Sequence, residues 1–152
     1  MQADAYYMRR ALEQARRAAE EGEIPVGAVI VSADGEVLAE THNLCERDHL
    51  PTSHAELLAV QAACRRRGSW RLSDCTLYVT LEPCPMCMGA IIHARVGRVV
   101  FGAKDPRAGA AGSLLNLCDY PLESKPVLSE GLLAEESLEG LRSFFVQKRK
   151  QQ

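Results

Sequence analysis

A chain of 152 residues and 16.7 kDa, 47% hydrophobic and 25% charged, suffices for one domain over residues 1–152. Such a domain removes roughly two-thirds of its unfolded surface from water and needs no disulfide framework. No apolar run approaches the roughly 18 residues of a membrane span, and Asp4, Arg9 and Arg10 interrupt the region where a secretory signal would lie, which together predict a cytoplasmic protein with no membrane partner. Its six cysteines are then thiols or metal ligands, and with a net charge of -2 any nucleic acid must be held by a local basic patch rather than a global field.

Asp4 is placed to cap a first helix, whose apolar face Met8, Ala11, Leu12, Ala15, Ala18 and Ala19 keeps helical spacing until Gly22. Val26 to Val31 reads as a buried strand, and Asp34-Gly35 as the hairpin turn into an antiparallel neighbour at Glu36 to Ala39. Ala55, Leu58, Ala59, Ala62 and Ala63 set a second helix over His54 to Arg67, with Gly68 just beyond. From Cys75 the period changes to two: Cys75, Leu77, Val79 and Leu81 alternate with Thr76, Tyr78 and Thr80 along a strand that runs into Glu82-Pro83-Cys84. A helix over Met86 to Ala94, a short strand over Arg98 to Phe101 and a terminal amphipathic helix carrying Ala134, Leu138, Leu141 and Phe145 complete the order. This alternation predicts helices on both faces of one sheet, an α/β architecture.

Two short segments carry chemistry. Cys84 and Cys87, three apart at the opening of a helix, can turn both sulfurs toward one tetrahedral ion, and the N–H groups of a helix start should lower both thiol pKa values. Pro83 and Pro85 suit that start, where a missing N–H costs little. Two thiolates leave zinc under-coordinated, and His54, at the start of another helix, is the candidate third ligand. Three protein ligands leave one position for water, the open arrangement of a catalytic site. Two thiolates also cancel the charge of the zinc, so a nearby carboxylate must help to deprotonate that water. On a regular helix His54 and Glu56 lie about 200° apart, which casts Glu56 as proton shuttle rather than fourth ligand. Alone, the His-x-Glu triplet is an ordinary surface helix start, and Pro-Cys-x-x-Cys a structural zinc knuckle or redox pair. Together, in strand-to-helix context, they point to a catalytic metal site. Cys45, Cys64, Cys75 and Cys118 lack ligand spacing.

The pair H-A-E and P-C-x-x-C resembles the cytidine-deaminase-like superfamily of zinc deaminases. His49 to Glu56, Leu81 to Cys87 and Gly102 to Ser113 resemble the bacterial tRNA adenosine deaminases, over about Tyr7 to Phe145, with Leu50 where that family more often has an acidic residue. The resemblance implies a three-layer α/β/α sandwich with a central five-stranded mixed sheet, one zinc per chain, a homodimer, and conversion of the wobble adenosine in a tRNA anticodon stem-loop to inosine. By motif position it implies that Asn43 contacts the target nucleoside, that Val26 lines the base pocket, and that Phe144-Phe145 with Lys148, Arg149 and Lys150 form an RNA-contacting end. Ala55, Pro83, Asp105 and Phe145 are assigned to the substrate as well. Asp105 follows a strand end, where loops frame ligands, and has two readings: a turn cap, or an acceptor for the 2′-hydroxyl that only RNA provides. Two rival functions stay open, a deaminase of a free guanine- or cytosine-type base or nucleoside, and a non-catalytic zinc-containing RNA-binding subunit. Gly102 to Ser113 with the basic C-terminus argues against the first, and Glu56 against the second.

Overall fold

The computed structural model describes residues 2–151. Helix α1 (Gln2–Glu20) leads into a hairpin of β1 (Gly27–Val31) and β2 (Val37–His42), with Gly35 at positive φ in the turn. The chain continues through α2 (Cys45–Asp48), α3 (Ala55–Arg67), β3 (Thr76–Leu81), α4 (Pro85–His93), β4 (Arg98–Ala103), β5 (Val127–Ser129) and α5 (Ala134–Lys150). The five strands form one mixed sheet in the order β2-β1-β3-β4-β5. β1 is antiparallel to both β2 and β3, while β3, β4 and β5 run parallel.

Each central strand is buried on both sides, and its alternation separates two apolar layers rather than core from solvent. Ala28, Ile30, Leu77, Val79, Val99 and Phe101 face α3 and α4, meeting Ala55, Ala59, Ala63, Met88, Ile91 and Ile92. Val29, Val31, Tyr78 and Val100 face the other way, against Met8 and Ala11 of α1. Helix α5 packs beside α1 over β4 and β3, which completes the three-layer α/β/α sandwich. Gly27 allows α1 to lie directly on β1, because any side chain there would strike the backbone of Ala11 and Ala15.

The topology collects the site at one end. Since β1 opposes both β2 and β3, β2 and β3 point the same way, so the segments leaving β2, β3 and β4 emerge on a common edge. Those segments lead to His54, to Cys84 and to Asp105 respectively.

Four local expectations are corrected. Asp4 does not cap α1, which begins at Gln2; its carboxylate instead accepts two hydrogen bonds from Arg98 at 2.9 and 2.8 Å and one from the Tyr78 hydroxyl at 2.6 Å. Strand β2 runs to His42 rather than Ala39, and β4 to Ala103 rather than Phe101. Phe145 is 42% exposed, so it is not part of the buried face of α5.

Candidate active site

His54 is the residue just before α3, with extended backbone (φ -74°, ψ 148°), so it lies outside the helix whose second residue is Glu56. This frees the two side chains from the angular spacing of a regular helix. The helix start is fixed from β2: Asn43 Oδ1 accepts the Ala55 N–H at 2.8 Å, and the Thr41 hydroxyl donates to the Ala55 carbonyl at 2.7 Å. Cys84 occupies the corresponding position before α4 (φ -77°, ψ 173°), and Pro85 is the first helical residue, as its fixed φ favours.

These two starts place His54 Nδ1 3.6 Å from the Sγ atoms of both Cys84 and Cys87. A tetrahedral zinc with Zn–S of about 2.3 Å and Zn–N of about 2.05 Å requires N···S separations of about 3.6 Å. The donors therefore already stand at the separations a shared ion needs, and they are a mutually close metal-ligating set among the described residues. The expectation that both thiols are lowered holds for only one of them, and chiefly for a different reason. A hydrogen bond from Cys87 brings Cys84 down to about 4 against the opposing effect of burial, with His54 helping. Cys87 is raised by the same bond and by burial, so the pair keeps one proton between them. His54 is raised chiefly by its hydrogen bond with Cys84. Replacing that shared proton with a dication suits a soft S₂N donor set.

Glu56 is 4% exposed, and burial pushes its carboxyl up to about 7, with the neighbouring His54 opposing. It stands beside Cys87 and outside the His-Cys-Cys cluster, where a shuttle rather than a ligand belongs.

Two clefts meet at Phe145. One, of about 380 Å³, is lined by Asn43, Cys45, His54, Phe145, Lys148 and Arg149. The other, of about 790 Å³, runs between α5 and the loop after β4, and its walls include Lys104, Asp105, Arg107, Arg142, Phe145 and Arg149. Asn43 lines the first cleft, Asp105 the second, and Phe145 both. Val26 is 5% exposed within the core, with its carbonyl accepting the Asn43 N–H at 3.2 Å, so its place is beneath Asn43. Ala55 is fully buried, and Pro83 is buried with its carbonyl accepting the Ala110 N–H at 2.8 Å. Asp105 Oδ1 accepts the N–H groups of Arg107 at 3.0 Å and Ala108 at 3.3 Å, the turn-cap geometry, and Lys104 pairs with Glu130 at 3.1 Å.

Sequence reasoning missed two buried carboxylates that shape these clefts. Glu23, 2% exposed, accepts the N–H groups of Glu46 and Arg47 at 2.9 Å each and so holds α2. Glu82, also 2% exposed, binds the loop after β4. Burial raises its pKa, but the hydrogen bonds from Ser113, Asp105 and Ala111 outweigh it and hold the group below the usual carboxylate range. An acid ending an apolar strand beside Pro83-Cys84 was the available signal for Glu82; Glu23 offers none.

Residues 1–103 match the zinc-binding region of cytidine and deoxycytidylate deaminases. This chain belongs to that deaminase family. It is 46% identical to a tRNA-specific adenosine deaminase of Bacillus subtilis, over 99% of this chain and 93% of the relative. It is 44% identical to a tRNA-specific adenosine deaminase of Aquifex aeolicus, over 92% of each. A solved structure from a study of A-to-I editing by tRNA:A34 deaminases superposes with a TM-score of 0.86 at 42% identity, covering 90% of this deaminase and 99% of that chain. Zinc is the cofactor of the family, and the donors of this deaminase fit it. Among the described residues no helix is long and apolar enough to cross a membrane.

Proposed function

We propose that this deaminase hydrolyses the wobble adenosine of a tRNA anticodon to inosine and ammonia, with His54, Cys84 and Cys87 holding one zinc ion per chain. The observation that carries the reading is the His-Cys-Cys cluster at zinc spacing beside the buried Glu56 carboxyl, in a chain 46% identical along nearly its full length to a tRNA-specific adenosine deaminase.

When bound, zinc supplies Lewis-acid activation of the attacking water. Glu56, buried beside the cluster with a carboxyl that burial pushes above the usual carboxylate range, is suited to accept and return a proton. It takes one proton from the water and delivers it to N1 of the adenine ring as the oxygen bonds to C6. It then passes the second proton to the exocyclic amine, which leaves as ammonia, and the C6 carbonyl of inosine remains. Asn43 holds the nucleoside in the cleft beside His54. Phe145, at the junction of the two clefts, together with Lys148 and Arg149, takes the neighbouring nucleotides and phosphates, and Asp105 addresses the flanking ribose.

The protein acts in the cytoplasm as a homodimer that builds its RNA footprint from both chains, because a net charge of -2 leaves one chain only local basic patches. Sedimentation equilibrium tests the dimer, and a fully active 16.7 kDa monomer would refute it. Mass spectrometry for inosine after incubation with an adenosine-containing anticodon stem-loop tests the activity, with free guanine and cytosine as comparison substrates. Conversion of a free base with none of the stem-loop would overturn the substrate assignment.

A further inference from the structure

Glu82 directly follows β3, two residues before Cys84, and its carboxylate is enclosed by the loop that follows β4. Oε1 accepts the Asp105 N–H at 3.0 Å and the Ser113 hydroxyl; Oε2 accepts the N–H groups of Ala111 and Ser113, each at 3.0 Å. The loop closes on this group so tightly that a side chain at Gly109 would collide with the carboxyl itself. One residue further on, the Pro83 carbonyl accepts the Ala110 N–H at 2.8 Å. The two residues preceding Cys84 thus tie the entire 105–113 segment to the strand that delivers that cysteine.

The bonds are not equivalent. Those from Ala111 and Ser113 close the base of the loop. The bond from Asp105 fixes the residue whose own Oδ1 caps Arg107 and Ala108, so it orients the part of the loop that walls the larger cleft. We infer that Glu82 is a positioning residue for polynucleotide binding: through the Asp105 N–H it holds Asp105 and Arg107 at a fixed register from the Cys84 site, so that flanking nucleotides and target base are presented together. This rests on the tRNA-deaminase reading above.

Glu82→Gln isolates that one bond. With its amide oxygen turned toward Ala111 and Ser113, glutamine accepts both of their N–H groups, and its NH₂ donates to the Ser113 hydroxyl oxygen. Only the Asp105 N–H is left without its acceptor. Glu82→Ala removes every bond and serves as the unfolding control.

The experiment uses zinc-loaded full-length protein and an adenosine-containing RNA anticodon stem-loop. It measures zinc per chain, kcat and KM, and amide hydrogen exchange. For Glu82→Gln the expected result is one zinc per chain, kcat within about threefold of the parent, and KM raised about tenfold, the size of one lost hydrogen bond. Exchange should accelerate at the Asp105 amide while Ala111 and Ser113 stay protected. Unchanged KM with a released Asp105 amide overturns the positioning role while leaving the substrate reading intact. Loss of zinc or a fall in kcat at unchanged KM overturns it too, because Glu82 would then serve the metal site. A parent that makes no inosine in the stem-loop overturns the substrate reading, and this inference falls with it.

Discussion

Asn43 Oδ1 accepts the first N–H of α3, that of Ala55, at 2.8 Å, so the side chain assigned to the nucleoside is also the cap of the helix that carries Glu56. Because the Ala55 N–H is a donor, the Asn43 oxygen must face it, which leaves Nδ2 for the cleft shared with His54. Asn43→Asp should therefore keep the cap and lose only the NH₂ donor: thermal stability close to the parent, KM raised about tenfold. Asn43→Ala should lose both, with an added cost of about 0.5–2 kcal/mol in stability. Thermal melts and steady-state kinetics on the two variants check the division; equal stability for both would remove the capping role.

The His54, Cys84 and Cys87 assignment predicts one zinc per chain by elemental analysis. Cys87→Ser should lose most of the metal, because a serine hydroxyl does not replace a thiolate donor. Since the ion binds the folded chain in preference to the unfolded one, chelation should also lower Tm. Full zinc occupancy and activity in Cys87→Ser would exclude Cys87 as a ligand.

Both segments of the candidate site were legible because their geometry is local. Each segment is set by a helix start, and helix starts are written in adjacent residues: His54 before α3, Cys84 before α4 with Pro85 as its first residue. The misreadings share an opposite cause. Asp4 looked like a cap by its neighbours, but its partner Arg98 is 94 residues away. Helix α2 has four residues and is held by Glu23 from 23 residues upstream, so no local periodicity announces it. Strand β5 has three residues at the edge of the sheet, too few to show a period, and came to expectation only through the resemblance. Glu82 was read merely as a strand end, because its partners lie 23 to 31 residues further along.

Glu56 is proposed to move protons without touching the metal, so Glu56→Gln should keep zinc and fold. Removing a buried carboxyl whose ionised form is already disfavoured leaves stability at or above that of the parent. Deamination should fall by about 10²–10⁴-fold, the usual loss for a general acid and base. Turnover within a few-fold of the parent would exclude the role.

Asp4, Arg98 and Tyr78 predict a pH signature in stability. The Arg98 guanidinium, with the Tyr78 hydroxyl, holds the Asp4 carboxyl well below the usual carboxylate range. A depressed carboxylate stabilises the fold fully above its unfolded pKa of about 3.9 and loses that contribution as pH falls through the folded value. Asp4→Asn should thus be less stable than the parent by about 1 kcal/mol from pH 6 to 8, since Arg98 is partly solvent-screened. The gap should narrow below about pH 4 and close at the most acidic pH at which the parent folds. Urea melts across that range check it; a gap independent of pH would mean that the ion pair contributes nothing.

The final prediction concerns Asp105, for which the two sequence-level readings turn out to be compatible. One oxygen, Oδ1, caps the turn at Arg107 and Ala108, while Oδ2 has no hydrogen-bond donor among the described residues and Asp105 borders the larger cleft. Lys104, the nearest cation in sequence, is paired with Glu130 rather than with Asp105, so the carboxylate charge is not neutralised from that side. On the proposed tRNA reading, a phosphate backbone approaching Arg107, Arg142 and Arg149 would meet this charge, and a hydrogen bond from a ribose 2′-hydroxyl, which DNA lacks, would offset the repulsion. Asp105→Asn separates the two roles. Asparagine caps turns about as well as aspartate, so stability should change by less than about 0.5 kcal/mol. The amide drops the charge yet still accepts a hydrogen bond, so activity on single-stranded DNA should rise relative to RNA. Deamination rates on matched RNA and DNA stem-loops, with melts in parallel, check both halves. An unchanged RNA-to-DNA ratio would leave Asp105 as a turn cap alone.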